Sequence, residues 1–165
     1  MPDPGHILIV CTGNICRSPM ATALLEHALA AQPEPLRSLK VVSAGVASRT
    51  GEPASPNAVA ALKKVGVDLT GHVSRPITQA LLDESLVVLC MTESQRQLID
   101  LTADPVPARL FLFREFTGEA GDREIPDPYG SALAAYEACR DEMVAAIPSI
   151  IAYLSKLPPE LLRRR

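Results

Sequence analysis

The chain has 165 residues, 47% hydrophobic and 21% charged, which is ordinary for a globular protein and the size of a single domain covering 1–165. A net charge of −3 argues against nucleic acid or an anionic membrane as a partner, and the longest apolar runs, 7–11 and 86–91, are far too short to cross a bilayer. No cationic start and long apolar run mark a secretory signal. Cys11, Cys16, Cys90 and Cys139 have neither disulfide-framework nor zinc-ligand spacing, so they read as reduced thiols in the cytoplasm, with no metal.

His6, Ile7, Leu8, Ile9, Val10 and Cys11 form a run suited to a parallel strand buried on both faces. Thr12-Gly13-Asn14 is a turn signal. Ser18-Pro19 has the pattern of an N-cap followed by Pro at the first helical position. Met20, Leu24, Leu25, Ala28 and Leu29 then recur at helical spacing until Pro33. Further along, 39–43 predicts a strand, 44–56 a loop, 57–65 a helix stopped by Gly66, and 86–90 a second all-apolar strand. Residues 93–101 predict a helix, 109–113 a fourth strand and 115–130 a long polar loop. A final amphipathic helix carries Leu133, Tyr136, Met143, Val144, Ile147, Ile151 and Leu154, with a kink expected at Pro148. Strands alternating with helices imply right-handed crossovers and a parallel sheet. Arg163, Arg164 and Arg165 read as a frayed, solubilising end.

Ligands of such sheets bind beyond the carboxyl ends of the strands, and the first strand ends at Cys11. The segment from Cys11 to Ser18 suits a phosphate group. Consecutive backbone N–H groups in a tight loop cradle its oxygens, and a helix N-terminus adds positive field. Gly13 permits the tight turn, and Arg17 supplies a planar fork for two oxygens. The same field favours the thiolate of Cys11, poised against phosphorus. Taken alone, Cys11 is better explained as a small buried hydrophobe at a strand end. That reading leaves Gly13, Arg17 and Ser18 in this order unaccounted for.

These residues, with Val10 before them and Pro19-Met20-Ala21 after, resemble the phosphate-binding loop of the low-molecular-weight protein tyrosine phosphatase family. The resemblance is to its bacterial branch, which includes arginine-phosphatase-like members. It continues through Ser43-Ala44-Gly45, His72 to Thr78, Met91-Thr92 and Asp127-Pro128-Tyr129-Gly130, and spans a core of about 6–157. It implies a three-layer α/β/α fold with a four-stranded parallel sheet and the phosphate loop between strand 1 and helix 1. It implies a phosphocysteine intermediate on Cys11, with Arg17 and Asp127 as its catalytic partners. Spacing alone leaves Glu119, Asp122, Glu124 and Asp127 open as general acid, and the resemblance singles out Asp127, between Pro126 and Pro128.

The resemblance places Thr12, Gly13, Asn14, Ile15, Cys16, Ser18 and Tyr129 around the substrate, with Ser43 and His72 in support. For Ser18 a helix cap competes with a hydrogen bond to the sulfur. The resemblance also implies that Cys16 captures an oxidised Cys11 as a disulfide. Cys90 and Cys139 read as core, and His6 and His27 as surface. Tyrosine-directed members carry an apolar β-branched residue where this chain has Ile15, and arginine-directed members carry Thr. The expected substrate is therefore phosphotyrosine in a protein, with protein arginine phosphatase as the alternative. The absence of an aromatic residue in 46–56, Gly130, and the stretch from Phe116 favour that alternative. Arsenate reduction would need two further close cysteines, and Cys90 stands alone. A non-catalytic phosphate binder would usually lack Cys, Arg or Asp. No cofactor is implied, and the protein is read as a monomer.

Overall fold

A computed structural model describes residues 5–118 and 121–163. Four strands, β1 (His6–Cys11), β2 (Val41–Gly45), β3 (Ser85–Cys90) and β4 (Leu110–Leu112), form an all-parallel sheet in the order β2-β1-β3-β4. This is the expected α/β sheet. β1 lies at its centre because it has no polar face to give to solvent: Ile7, Leu8, Ile9 and Val10 are fully buried. Side chains alternate along β1, so the odd residues face one layer and the even residues the other. Ile7 and Ile9 pack with α1 (Arg17–Ala30) and the long helix α5 (Leu133–Ser155), and Leu8 and Val10 with Leu82 and Ile99 on the opposite layer.

Several boundaries differ from expectation, for local reasons. β2 begins two residues later than predicted because Leu39 closes a 3₁₀ turn over Leu36–Ser38, donating to Leu36 O at 3.1 Å. It runs on through Ala44 and Gly45, weak strand formers held by their pairing with Val10 and Cys11. Helix α2 (Pro56–Lys63) starts at Pro56, with Ser55 as its N-cap residue, and ends two residues before the predicted limit. Helix α4 (Glu93–Thr102) opens with a capping box between Thr92 and Gln95. A short helix α3 (Gln79–Asp83), capped by Thr78, escaped the sequence reading, being too short to show a period. A terminal turn, α6 (Pro159–Leu162), also escaped it and seats Leu162 in the core beyond the expected limit of 157. α5 continues as one helix of 23 residues through Pro148. Arg163 is exposed, whereas Arg164 and Arg165 lie outside the described residues, as does Glu119. No helix among the described residues is long and apolar enough to cross a membrane.

Candidate active site

The carboxyl end of β1 and the N-terminus of α1 are joined by residues 12–16, and this loop floors a cavity of about 200 Å³. Cys11, Thr12, Gly13, Ile15, Cys16, Arg17, Asp127 and Tyr129 line it. All eight are among the residues that the family resemblance places at the site. α1 begins two residues earlier than Ser18-Pro19 suggests: Cys16 is the N-cap residue and Arg17 the first helical residue. Pro19 therefore sits third, still within the first turn, where no intrahelical N–H is required. The Ser18 hydroxyl consequently caps nothing. It lies 2.9 Å from Cys11 Sγ instead.

The loop is an arrangement of donors. The N–H groups of Gly13, Ile15 and Cys16 have no protein acceptor among the described residues, and those of Arg17 and Ser18 open a helix. Asn14 donates its N–H to Cys11 Sγ at 3.2 Å. Asn14 is fully buried with φ of 58°, a left-handed conformation that Asn tolerates better than most residues. Its side chain is what keeps it there. Oδ1 accepts the Arg75 N–H at 2.9 Å, and since a backbone N–H only donates, Nδ2 must donate in turn, to Ser18 Oγ at 2.8 Å and Ser43 Oγ at 2.9 Å. The Asn14 carbonyl accepts from His72 Nε2 at 2.6 Å, which fixes the ring nitrogen that carries the proton. Burial, reinforced by the charge of Arg75, pushes the His72 pKa down despite this bond. Ser43 and His72 thus reach the loop through Asn14.

Arg17 is buried, its Nη1 donating to Ile125 O at 3.0 Å. Its Nη2 lies 3.4 Å from Thr12 Oγ1 and 3.6 Å from Asp127 Oδ2. The Asp127 carboxylate is half-exposed at the cavity wall, and its Oδ1 accepts the Tyr129 N–H at 3.1 Å. Two other acidic residues of this loop, Glu124 and Asp122, are engaged elsewhere. Glu124 accepts the Glu93 N–H at 2.7 Å at the start of α4, and Asp122 accepts the Glu124 N–H at 2.8 Å.

Cys16 is buried, with its Sγ 3.2 Å from Ser55 Oγ and 3.4 Å from Tyr136 Oη. Burial pushes its thiol upward, partly offset by the two hydroxyls. The Tyr136 phenol is itself pushed up to about 12, first by burial and then by Cys16. Cys90 and Cys139 are buried and pushed up to about 12 by desolvation, as core thiols should be. His27 is exposed as expected, but His6 is half-buried, with Nε2 3.1 Å from Leu81 O.

Four residues that contact this loop carry no site role in the sequence: Ser55, Arg75, Gln95 and Tyr136. Gln95 is buried, and its Oε1 accepts the N–H groups of Met91 and Thr92 at 2.9 and 3.0 Å while Nε2 donates to Thr12 Oγ1 at 3.2 Å. The Thr92-to-Gln95 spacing was the available signal for its capping role, but nothing local pointed to Thr12, 83 residues away.

Comparisons with known proteins identify the family of the chain. The chain is 37% identical over 151 residues to a protein-arginine-phosphatase of Bacillus subtilis, covering 91% of this chain and 97% of the relative. It is 34% identical over 133 residues to the low molecular weight protein-tyrosine-phosphatase Wzb of Escherichia coli, covering 81% of this chain and 84% of the relative. Among solved structures, the YwlE arginine phosphatase from Geobacillus stearothermophilus superposes with a TM-score of 0.81 at 35% identity, covering 92% of this chain and 94% of that one. The family model described as low molecular weight phosphotyrosine protein phosphatase matches residues 6–158, and the chain belongs to that family.

Proposed function

We propose that this protein hydrolyses phosphotyrosine in proteins through a phosphocysteine formed on Cys11. The observation that carries the reading is Cys11 Sγ at the floor of a donor-lined cavity, with Arg17 and Asp127 on its wall. The loop N–H groups and Arg17 hold the phosphoryl oxygens, and the Cys11 thiolate attacks phosphorus in line with the ester oxygen. Asp127 protonates that oxygen as the P–O bond breaks, since a phenol leaves far more readily than a phenolate with its pKa of about 10. The Asp127 carboxylate then takes a proton from water as it attacks the phosphocysteine. Phosphate forms and the thiolate is released into its bonds with Ser18 and the Asn14 N–H.

Ile15 and Tyr129 on the cavity wall suit a flat phenyl ring, and Ile15 offers no acceptor to a guanidinium. The second reading, protein arginine phosphatase, is favoured by the relative in Bacillus subtilis that carries that name. Four free thiols support a reducing, cytoplasmic setting. The proposal is of one phosphatase domain that acts as a monomer on phosphorylated proteins. We also infer that Cys16 protects an oxidised Cys11 by forming a disulfide with it.

The test compares kcat/KM on a phosphotyrosine peptide and a phosphoarginine peptide, with Cys11→Ala as the blank. Higher turnover of phosphotyrosine that disappears in Cys11→Ala is expected, as is a loss of roughly 10²–10⁴-fold in Asp127→Asn. Preference for phosphoarginine would overturn the substrate, and full turnover by Cys11→Ala would overturn the mechanism.

A further inference from the structure

The Thr12 hydroxyl has its hydrogen-bonding direction imposed from outside the phosphate loop. Gln95 is buried, and one of its side-chain atoms contacts two backbone N–H groups, those of Met91 and Thr92. Backbone N–H groups only donate, so that atom is the oxygen and the amide nitrogen must face Thr12. Nε2 therefore donates to Thr12 Oγ1 at 3.2 Å. Arg17 has no lone pair to offer, so its Nη2 donates to the same oxygen, at 3.4 Å. A hydroxyl oxygen has two lone pairs and one proton, and both lone pairs are now engaged. Its proton has no protein acceptor among the described residues, and Thr12 lines the cavity.

We propose that Gln95 is a positioning residue that locks Thr12 as a hydrogen-bond donor to a phosphoryl oxygen in the cavity. The inference rests on the reading that phosphate binds there, and it adds a donor that the backbone loop and Arg17 do not supply. An anionic oxygen rewards a donor and is repelled by a lone pair, so the polarity of this hydroxyl matters more than its presence. Gln95 sets that polarity from α4, the same residue that caps this helix, so the helix start and the phosphate loop are tied by one side chain.

Gln95→Glu tests the polarity directly. One carboxylate oxygen still accepts the Met91 and Thr92 N–H groups, while the other accepts from Thr12 and turns its proton away from the cavity. Inhibition by inorganic phosphate is measured for wild type, Thr12→Val, Thr12→Ser, Gln95→Glu and the Thr12→Val/Gln95→Glu double variant, each checked for an unchanged melting temperature. Phosphate affinity is expected to fall about tenfold in Thr12→Val and in Gln95→Glu, and to be rescued by Thr12→Ser. The two losses should not add, because both remove the same donor. Additive losses would mean that the new carboxylate acts through its charge, and would overturn the proposal. So would wild-type affinity in Thr12→Val, which would leave phosphate binding intact and only the role of Thr12 refuted. Failure of the wild-type protein to bind phosphate would overturn this proposal together with the function on which it rests.

Discussion

Ser18 Oγ lies 2.9 Å from Cys11 Sγ, and the bond between them has a direction. Asn14 Nδ2 donates to one lone pair of Ser18 Oγ, and a Cys11 thiolate has no proton of its own, so Ser18 is the donor to the sulfur in that form. A thiolate that accepts this proton is a better leaving group, so the bond should matter most when the phosphocysteine breaks down. Ser18→Ala removes one hydrogen bond to a charged group, worth about 1.5–3 kcal/mol, or roughly 10- to 150-fold in rate. The loss should fall on kcat and leave phosphate inhibition nearly unchanged. Rapid-quench kinetics should then show a burst of released phenol followed by slow turnover. A variant that loses phosphate affinity and shows no burst would mean that Ser18 only shapes the loop.

Gly45 stands where β2 passes under the phosphate loop. A Cβ on this residue would lie 2.5 Å from Thr12 O, 2.7 Å from Ser48 Cβ and 3.1 Å from the Asn14 N. Two of these neighbours are backbone atoms of the loop itself, so relief requires the loop to move. Gly45→Ala should destabilise the protein by about 1–3 kcal/mol, the range for overpacking. For a chain of this size that is a fall of roughly 2–12 °C in melting temperature. Phosphate inhibition should weaken in the same variant, because Thr12 and Asn14 are displaced together. Wild-type melting and wild-type inhibition in Gly45→Ala would show that the strand yields in place of the loop.

These relationships divide by range. The loop of Cys11, Arg17 and Ser18 was legible because eight consecutive residues hold a thiol, a turn and a cation between a strand and a helix. β1 and β3 were legible because each carries an uninterrupted apolar run, whereas β2 and β4 offer only the short runs Val41-Val42 and Leu110–Leu112, and their bounds shifted accordingly. Asp127 was not separable from Asp122 and Glu124 by spacing, and needed the family resemblance. The folded chain distinguishes them: Glu124 is tied to the start of α4, and Asp127 faces Arg17. The contacts of Gln95 and Tyr136 with the loop could not be read. Each looks like an ordinary helical residue until the fold carries it 83 or 120 positions back to Thr12 or Cys16.

His72 supplies a pH dependence of stability. Its folded pKa is pushed below the ordinary value by burial. Between that lowered value and the unfolded value of about 6.5, the unfolded chain binds the extra proton and the folded chain does not. Stability therefore rises with pH through this window and is lost as pH falls through it. His72→Gln keeps a donor for the Asn14 carbonyl and removes the titration. Urea unfolding of both proteins from about pH 7.5 to 5 should show wild type losing stability faster than the variant. Parallel curves would mean that His72 does not titrate differently in the two states.

Cys16 should respond to pH in the opposite region. Peroxide transfers an oxygen to the Cys11 thiolate, giving a sulfenic acid and hydroxide. In the proposed protection, the Cys16 thiolate would then attack that sulfur, expel hydroxide and form the disulfide, which a dithiol reductant would reopen. The attacking species is the thiolate, and burial pushes the Cys16 thiol above its ordinary value, so little of it is ionised at neutral pH. Disulfide formation after peroxide treatment should therefore accelerate with rising pH, by up to about tenfold per unit while the thiol is mostly protonated. Cys16→Ser should inactivate at the wild-type rate, because the first step involves Cys11 alone, and should recover far less activity with dithiothreitol after prolonged peroxide. The Ser55 and Tyr136 hydroxyls stabilise the Cys16 thiolate, so Tyr136→Phe should slow the second step and leave the first unchanged. Equal recovery of wild type and Cys16→Ser would remove Cys16 from the protection of Cys11, and a pH-independent second step would show that its thiol is already ionised in the fold.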